Sequence, residues 1–163
     1  MKKSKQVSIS AALLALITMA GCLGGCGKRI GGGPVTPYET VMTWNDGLAQ
    51  TNNVIAKGLI DVSPTLVSPD KAAAILRHQR NVADIDSKLT AILKQGQSFA
   101  VTNSDQVKSL TIQLSNEAEA LVNDGSIGVK NPKSKNTFDG DIANVSSLVN
   151  QIIGGLKIAG VIQ

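Results

Sequence analysis

The chain contains a single histidine, His78, and any side-chain chemistry in the folded part has to be judged from it first. His78 stands between Ile75 and Val82 on an apolar stripe of helical spacing, where an imidazole needs a polar partner. A fold-back about residue 99 sets His78 level with position 120, within one turn of Glu117, which itself borders the seam seven residues after Leu110. Similar fold-backs about residues 65 and 130 bring Asn52 and Asn144 to the same height. The expectation is a buried polar layer of Asn52, His78, Glu117 and Asn144 in an otherwise apolar interior. Such a layer suits a small-ligand, metal or pH-sensing site, or it simply fixes helix register, or its members are rim residues reaching solvent. One His and one carboxylate are too few ligands for a metal centre, so no metal is expected.

Other chemistry finds no foothold. The acidic pairs Asp84/Asp86 and Glu117/Glu119 are two residues apart, so on a helix their carboxylates diverge, and both read as solvated faces. They lack the Glu-to-His spacing of carboxylate-bridged di-iron bundles. Both cysteines, Cys22 and Cys26, precede the periodic segments, which removes Cys–His nucleophilic catalysis and Cys-rich zinc from them. There is no CxxCH haem attachment, no GxxxxGK[ST] and no GxGxxG between a strand and a helix. No nucleophile–base pair can be named, so a non-enzymatic protein without a cofactor is expected.

Four amphipathic helices would have to position these residues. Thr36-Pro37-Tyr38-Glu39 reads as a capping box with Pro at the first helical position. Val41, Trp44, Leu48, Thr51, Ile55 and Val62 follow as its stripe, and Pro64 is expected to stop it. Ser68-Pro69-Asp70 opens a second helix whose stripe is Ile75, His78, Val82, Ile85, Leu89 and Ile92, ending at Gly96. Thr102 with Asp105 opens a third, with Val107, Leu110, Leu114, Ala118 and Leu121, closed by Asp124-Gly125. Thr137 opens a fourth, with Phe138, Ile142, Val145, Val149, Ile152, Leu156 and Ala159. These heptad-like spacings, with no strand alternation, predict an all-α four-helix bundle of coiled-coil packing. Short first and second connections favour up-down-up-down order.

The end of the fourth helix, from Ile152 to Ile162, is apolar but interrupted by Lys157 and preceded by Asn144, Asn150 and Gln151, which argues against a membrane span. Gly154, Gly155 and Gly160 weaken it. A packed, somewhat frayed last helix is expected. The alternative is a docking surface in which Gly155 and Ala159 admit a partner or a second copy.

Residues 1–22 have a different character. Lys2, Lys3 and Lys5 precede an uncharged, mostly apolar run from Val7 to Ala20, and small residues and a cysteine follow. That is the layout of a secretory signal peptide, and 14 residues are too few for a spanning helix. Met19-Ala20-Gly21-Cys22 resembles the lipobox of bacterial lipoproteins, and Leu23-Gly24-Gly25-Cys26 matches it as well. The resemblance covers only residues 1–26. It implies cleavage before the cysteine, a thioether-linked diacylglycerol, and fatty acylation of the new amino group. Cys22 is preferred because it abuts the apolar run, with Cys26 as the alternative. Without acylation, the reading is a secreted protein cut near Ala20 with a Cys22–Cys26 disulfide. Gly24, Gly25, Gly27, Gly31, Gly32 and Gly33 then form a flexible tether.

The expected organisation is therefore a signal peptide at 1–21, an acylated tether at 22–35 and a helical bundle at 36–163. Among lipoproteins of the enteric type, Asp after the acylated cysteine retains the protein on the inner membrane. Leu23, or Gly27, lacks that signal, so the resemblance implies the periplasmic face of the outer membrane in a host with two membranes. The bilayer is the expected partner through the acyl anchor, with an envelope protein or a second copy as a further one.

Charge bears on one more partner. The net +4 and pI near 9.2 would ordinarily suggest nucleic acid. Once Lys2, Lys3 and Lys5 leave with the leader, 13 basic residues face 12 acidic ones, and without Lys28 and Arg29 of the tether 11 face 12. The aromatics are only Tyr38, Trp44, Phe99 and Phe138, and Lys130, Lys133 and Lys135 read as a soluble loop, so no nucleic-acid surface is expected.

Overall fold

The computed structural model describes residues 34–66, 68–125 and 132–163, and the expected signal peptide, both cysteines and residues 22–33 of the expected tether lie outside them. Residues Thr36–Gln163 form one unit. Its regular elements, among the described residues, are all helical: α1 (Pro37–Leu66), α2 (Pro69–Leu93), α3 (Gln97–Thr102), α4 (Ser104–Gly125) and α5 (Pro132–Ile158).

Helix α1 starts where its cap dictates. The Glu39 amide donates to Thr36 Oγ1 at 3.2 Å, and the Thr36 amide donates to Glu39 Oε2 at 2.9 Å, so two otherwise orphaned donors are satisfied reciprocally. Pro64 does not end it. The helix runs to Leu66, because the proline's missing N–H removes one backbone bond near the terminus, where few remain to be lost. Ser68 occupies the N-cap position of α2 in extended conformation, yet its side chain makes no capping bond. Pro69 and the Ala72 amide bond to the Ser68 carbonyl at 2.9 Å carry that start.

Two further boundaries differ from the sequence expectation. Thr102 does not cap the third long helix. It closes the separate short helix α3, its hydroxyl donating to the Ser98 carbonyl at 3.0 Å, and α4 begins after Asn103. Helix α5 opens at Pro132 instead of Thr137, which places Lys133 and Lys135 in a helix and not in a loop. Gly96, with φ of 102°, makes the turn between α2 and α3 that a side chain would strain.

The core follows the 3–4 spacing closely. Val41, Leu48, Ile55 and Leu59 of α1 meet Ile75, Val82, Leu89 and Leu93 of α2, Val107, Leu114 and Leu121 of α4, and Val145, Val149, Ile152 and Leu156 of α5. Helix α1 packs chiefly against α2 and α5, and α4 against α2 and α5. The arrangement is compatible with a four-helix bundle to which α3 is added.

The last helix is neither frayed nor open. The Gly160 amide reaches the Lys157 carbonyl at 3.0 Å and the Val161 amide reaches the Leu156 carbonyl at 2.9 Å, with Gly160 at φ 70°. This is a Schellman cap, and its hydrophobic pair, Leu156 and Val161, is buried. Gly155 faces α1 within the same chain. A Cβ there would come within 2.5 Å of Val41 Cγ2 and 2.7 Å of Trp44 Cζ3. The close approach offered by the small residue is thus taken up inside the molecule.

Candidate functional site

Helix α2 carries Lys71 and His78 one heptad apart, and α4 carries Glu117 and Asp124 one heptad apart, so the two pairs stack along one helix–helix seam. His78 Nδ1 lies 2.7 Å from Glu117 Oε2, and His78 Nε2 lies 3.0 Å from Asp124 Oδ2. Lys71 Nζ donates to Asp124 Oδ1 at 3.3 Å, and Asn81 Nδ2 donates to Glu117 Oε1 at 3.0 Å. A neutral imidazole donates through one nitrogen only, whereas the imidazolium donates through both, so the doubly protonated ring matches this pair of carboxylate acceptors. In that form two cations face two anions. The Lys71 hydrogen bond, with the His78 contact adding to it, holds the Asp124 carboxyl below its ordinary value.

With both ring nitrogens engaged, His78 acts as a clamp between helices and has no free nitrogen to offer a ligand. Among the described residues no group of three or more His, Cys, Asp and Glu is disposed to hold a metal ion.

The expected polar layer is only partly assembled. His78 and Glu117 meet directly. Asn52 is buried, but its amide turns to the carbonyl of Gln79, on the α1–α2 seam. Asn144 is exposed and takes no part, because α5 buries Ile142, Val145 and Val149, and a residue two positions past Ile142 points off that stripe. Asp124 and Lys71 were the missing members. The signal for them was the heptad itself, since each stands seven residues from a member already identified.

The larger departure concerns Asp86. Asp84 is the solvated carboxylate expected, paired with Lys88 at 2.6 Å, and Glu119 is exposed. Asp86 is 5% exposed, in the register of Val82 and Leu89. Together with Asn45, Asn52 and Gln79 it forms a second polar seam, between α1 and α2. Asn52 Nδ2 donates to the Gln79 carbonyl at 2.8 Å, and Gln79 Nε2 donates to the Asn52 carbonyl at 3.4 Å. Asn45 Nδ2 donates to Thr90 Oγ1. One oxygen on each of the four side chains, Asn45 Oδ1, Asn52 Oδ1, Gln79 Oε1 and Asp86 Oδ1, is buried without a partner. Burial, and then the Asp46 charge, pushes the Asp86 carboxyl up to about 6.

Tyr38 adds a link at the end of the bundle, its hydroxyl donating to the Leu93 carbonyl at 2.6 Å. It satisfies an acceptor in the last turn of α2. Comparison with known protein families, with curated proteins and with solved structures found no match to this chain.

Proposed function

We propose that the chain is an extracytoplasmic lipoprotein, held to a membrane by acyl groups on Cys22 and serving, through an up-down-up-down helical bundle, as a non-enzymatic structural or interaction module of the cell envelope. The observation that carries this reading is the coincidence of a short apolar leader with Met19-Ala20-Gly21-Cys22 directly at its end. Two or more acyl chains anchor stably, whereas one alone binds a bilayer marginally. No helix among the described residues is long and apolar enough to cross a membrane.

The up-down order is supported by pairings whose numbers run in opposite directions. Tyr38 meets Leu93 while Asn52 meets Gln79, and Lys71 meets Asp124 while His78 meets Glu117. An interaction role is supported by Phe99, Val101 and Ile158, which remain exposed near the end of the bundle where Gln97 bonds to the Ala159 carbonyl. The earlier alternative, a ligand site centred on His78, loses support because both ring nitrogens already face carboxylates.

Metabolic labelling with a radioactive or clickable fatty acid tests the anchor. Incorporation is expected in the unaltered protein and in Cys26→Ala, and it is lost in Cys22→Ala. Label that survives in the double variant would overturn the anchor.

A further inference from the structure

The turns at one end of the bundle gather most of its exposed apolar side chains. Among the described side chains of Thr36–Gln163, the large apolar ones left exposed are Phe99, Val101, Ile112 and Ile158, and all but Ile112 belong to this end. Three pairings assemble it. The Tyr38 hydroxyl bonds to the Leu93 carbonyl, which sets the start of α1 beside the end of α2. Gly155 abuts Val41 and Trp44, which brings the last turns of α5 to the same place. Gln97 Nε2 donates to the Ala159 carbonyl at 2.8 Å, so the start of α3, two residues before Phe99, reaches the neighbour of Ile158. Ala100 is the buried contact of α3, and Phe99 and Val101 on either side of it stay exposed. Ile158 is 76% exposed, the most of the set.

Charge at this end has a sign. Lys94 and Lys157 stand exposed in the two turns, and no acidic side chain occurs in residues 94–104 or 157–163. Acids border the end at Glu39, which accepts the Thr36 cap bonds, and at Asp105, which the exposed Lys108 follows within a turn. The chain also enters the bundle here. Thr36 and Pro37 open α1 at this end, 14 residues after Cys22. Chain of that length spans at most about 50 Å, so a group held at Cys22 stays within reach of Phe99 and Ile158.

We propose that this end of the bundle docks on the lipid bilayer, with Phe99, Val101 and Ile158 entering the interface and Lys94 and Lys157 meeting anionic headgroups. The inference rests on the acyl anchor at Cys22 proposed above. An apolar patch rimmed by lysines suits a membrane surface, where Lys buries its stem and keeps its ammonium among the headgroups. Three side chains fall short of the roughly 800 Å² that each partner buries in a stable protein interface. The anchor makes the encounter with lipid intramolecular, so a small patch suffices.

The full-length chain is expressed with Cys26→Ala and Ser98→Cys, purified from membranes and labelled at position 98 with an environment-sensitive fluorophore. It is reconstituted in phosphatidylcholine vesicles containing one-quarter phosphatidylglycerol, the phosphatidylcholine being either plain or brominated in its acyl chains. Asn123→Cys, exposed and about 28 Å along α4 from Ser104, carries the control probe. Bromination is expected to quench the Ser98 probe about twofold and the Asn123 probe hardly at all. Phe99→Ser with Ile158→Ser, both at exposed positions, is expected to remove that quenching while the protein still floats with the vesicles. Lys94→Gln with Lys157→Gln is expected to weaken it when phosphatidylglycerol is present and not when it is omitted. Flotation without quenching at position 98, equal quenching at both positions, or quenching unchanged by the Phe99→Ser and Ile158→Ser pair would overturn the docking and leave the anchor standing. A Ser98 probe that reports apolar surroundings only as protein density rises, without bromine quenching, would overturn it in favour of a second copy. Protein that does not float would overturn the anchor and the docking with it.

Discussion

The buried carboxyl of Asp86 illustrates how one core position can make stability depend on pH. Its ordinary value is 3.8 and the folded value is about 6, so between those pH values the folded protein keeps a proton that the unfolded chain has released. Stability from this group is therefore greatest below about pH 4, and it is lost as pH rises through about 6. At 1.36 kcal/mol per pH unit, the full loss is at most about 3 kcal/mol. Asp86→Asn should raise stability at pH 7.5 by about 1–3 kcal/mol and flatten the dependence between pH 4 and 6, as measured by urea melts across that range. Some slope will persist, because burial raises Asp141 in the same direction. Asp124, held low chiefly by Lys71, acts oppositely, losing its contribution as pH falls below the ordinary carboxylate range. An Asp86→Asn protein that is less stable at pH 7.5 would contradict the charge argument.

At the scale of helices, two adjacent glycines in α5 separate propensity from packing. Nothing lies within 4 Å of a Cβ built on Gly154, whereas one on Gly155 strikes Val41 and Trp44. Gly154→Ala should stabilise by up to about 1 kcal/mol through helix propensity alone. Gly155→Ala gains the same propensity but overpacks the α1–α5 contact, and a net loss of about 1–2 kcal/mol is expected in thermal melts. Equal effects at the two sites would remove the case for close approach. The same helices show what was legible from sequence. Apolar spacing of three and four identified the four long helices and most core residues, because periodicity is averaged over many positions, but it left out Tyr38, Leu59, Ala72, Leu93, Ala100, Val161 and Ile162. Boundaries were less legible, since Pro64, Thr102 and Thr137 each carry a local signal at which no long helix ends or begins. The polar residues were hardest. Asn52 was expected inside from the fold-back, whereas Asn45, Gln79 and Asp86 also occupy core registers, and hydrophobicity alone assigns such residues to the surface. In α1 the notional stripe passed through Trp44 and Thr51, one residue before the buried Asn45 and Asn52.

For the whole molecule, charge and architecture agree on a division of labour. The basic excess sits in residues 1–35, while residues 36–163 carry 11 basic against 12 acidic residues. The bundle begins at a capping box and ends at a Schellman cap, so both ends of its helical path are closed by local hydrogen bonds. Its described side chains contribute an interhelical clamp at His78 and a buried, acceptor-rich seam at Asp86, on different contacts of α2. Under the function proposed above, placement at a membrane surface would come from the apolar run and Met19-Ala20-Gly21-Cys22 that precede the bundle. The most direct test is mass spectrometry of the mature protein's N-terminal peptide from membranes. An N-terminus at Cys22 carrying diacylglycerol is the predicted result, and an unmodified N-terminus near Gly21 with Cys22 and Cys26 joined as a disulfide would contradict it.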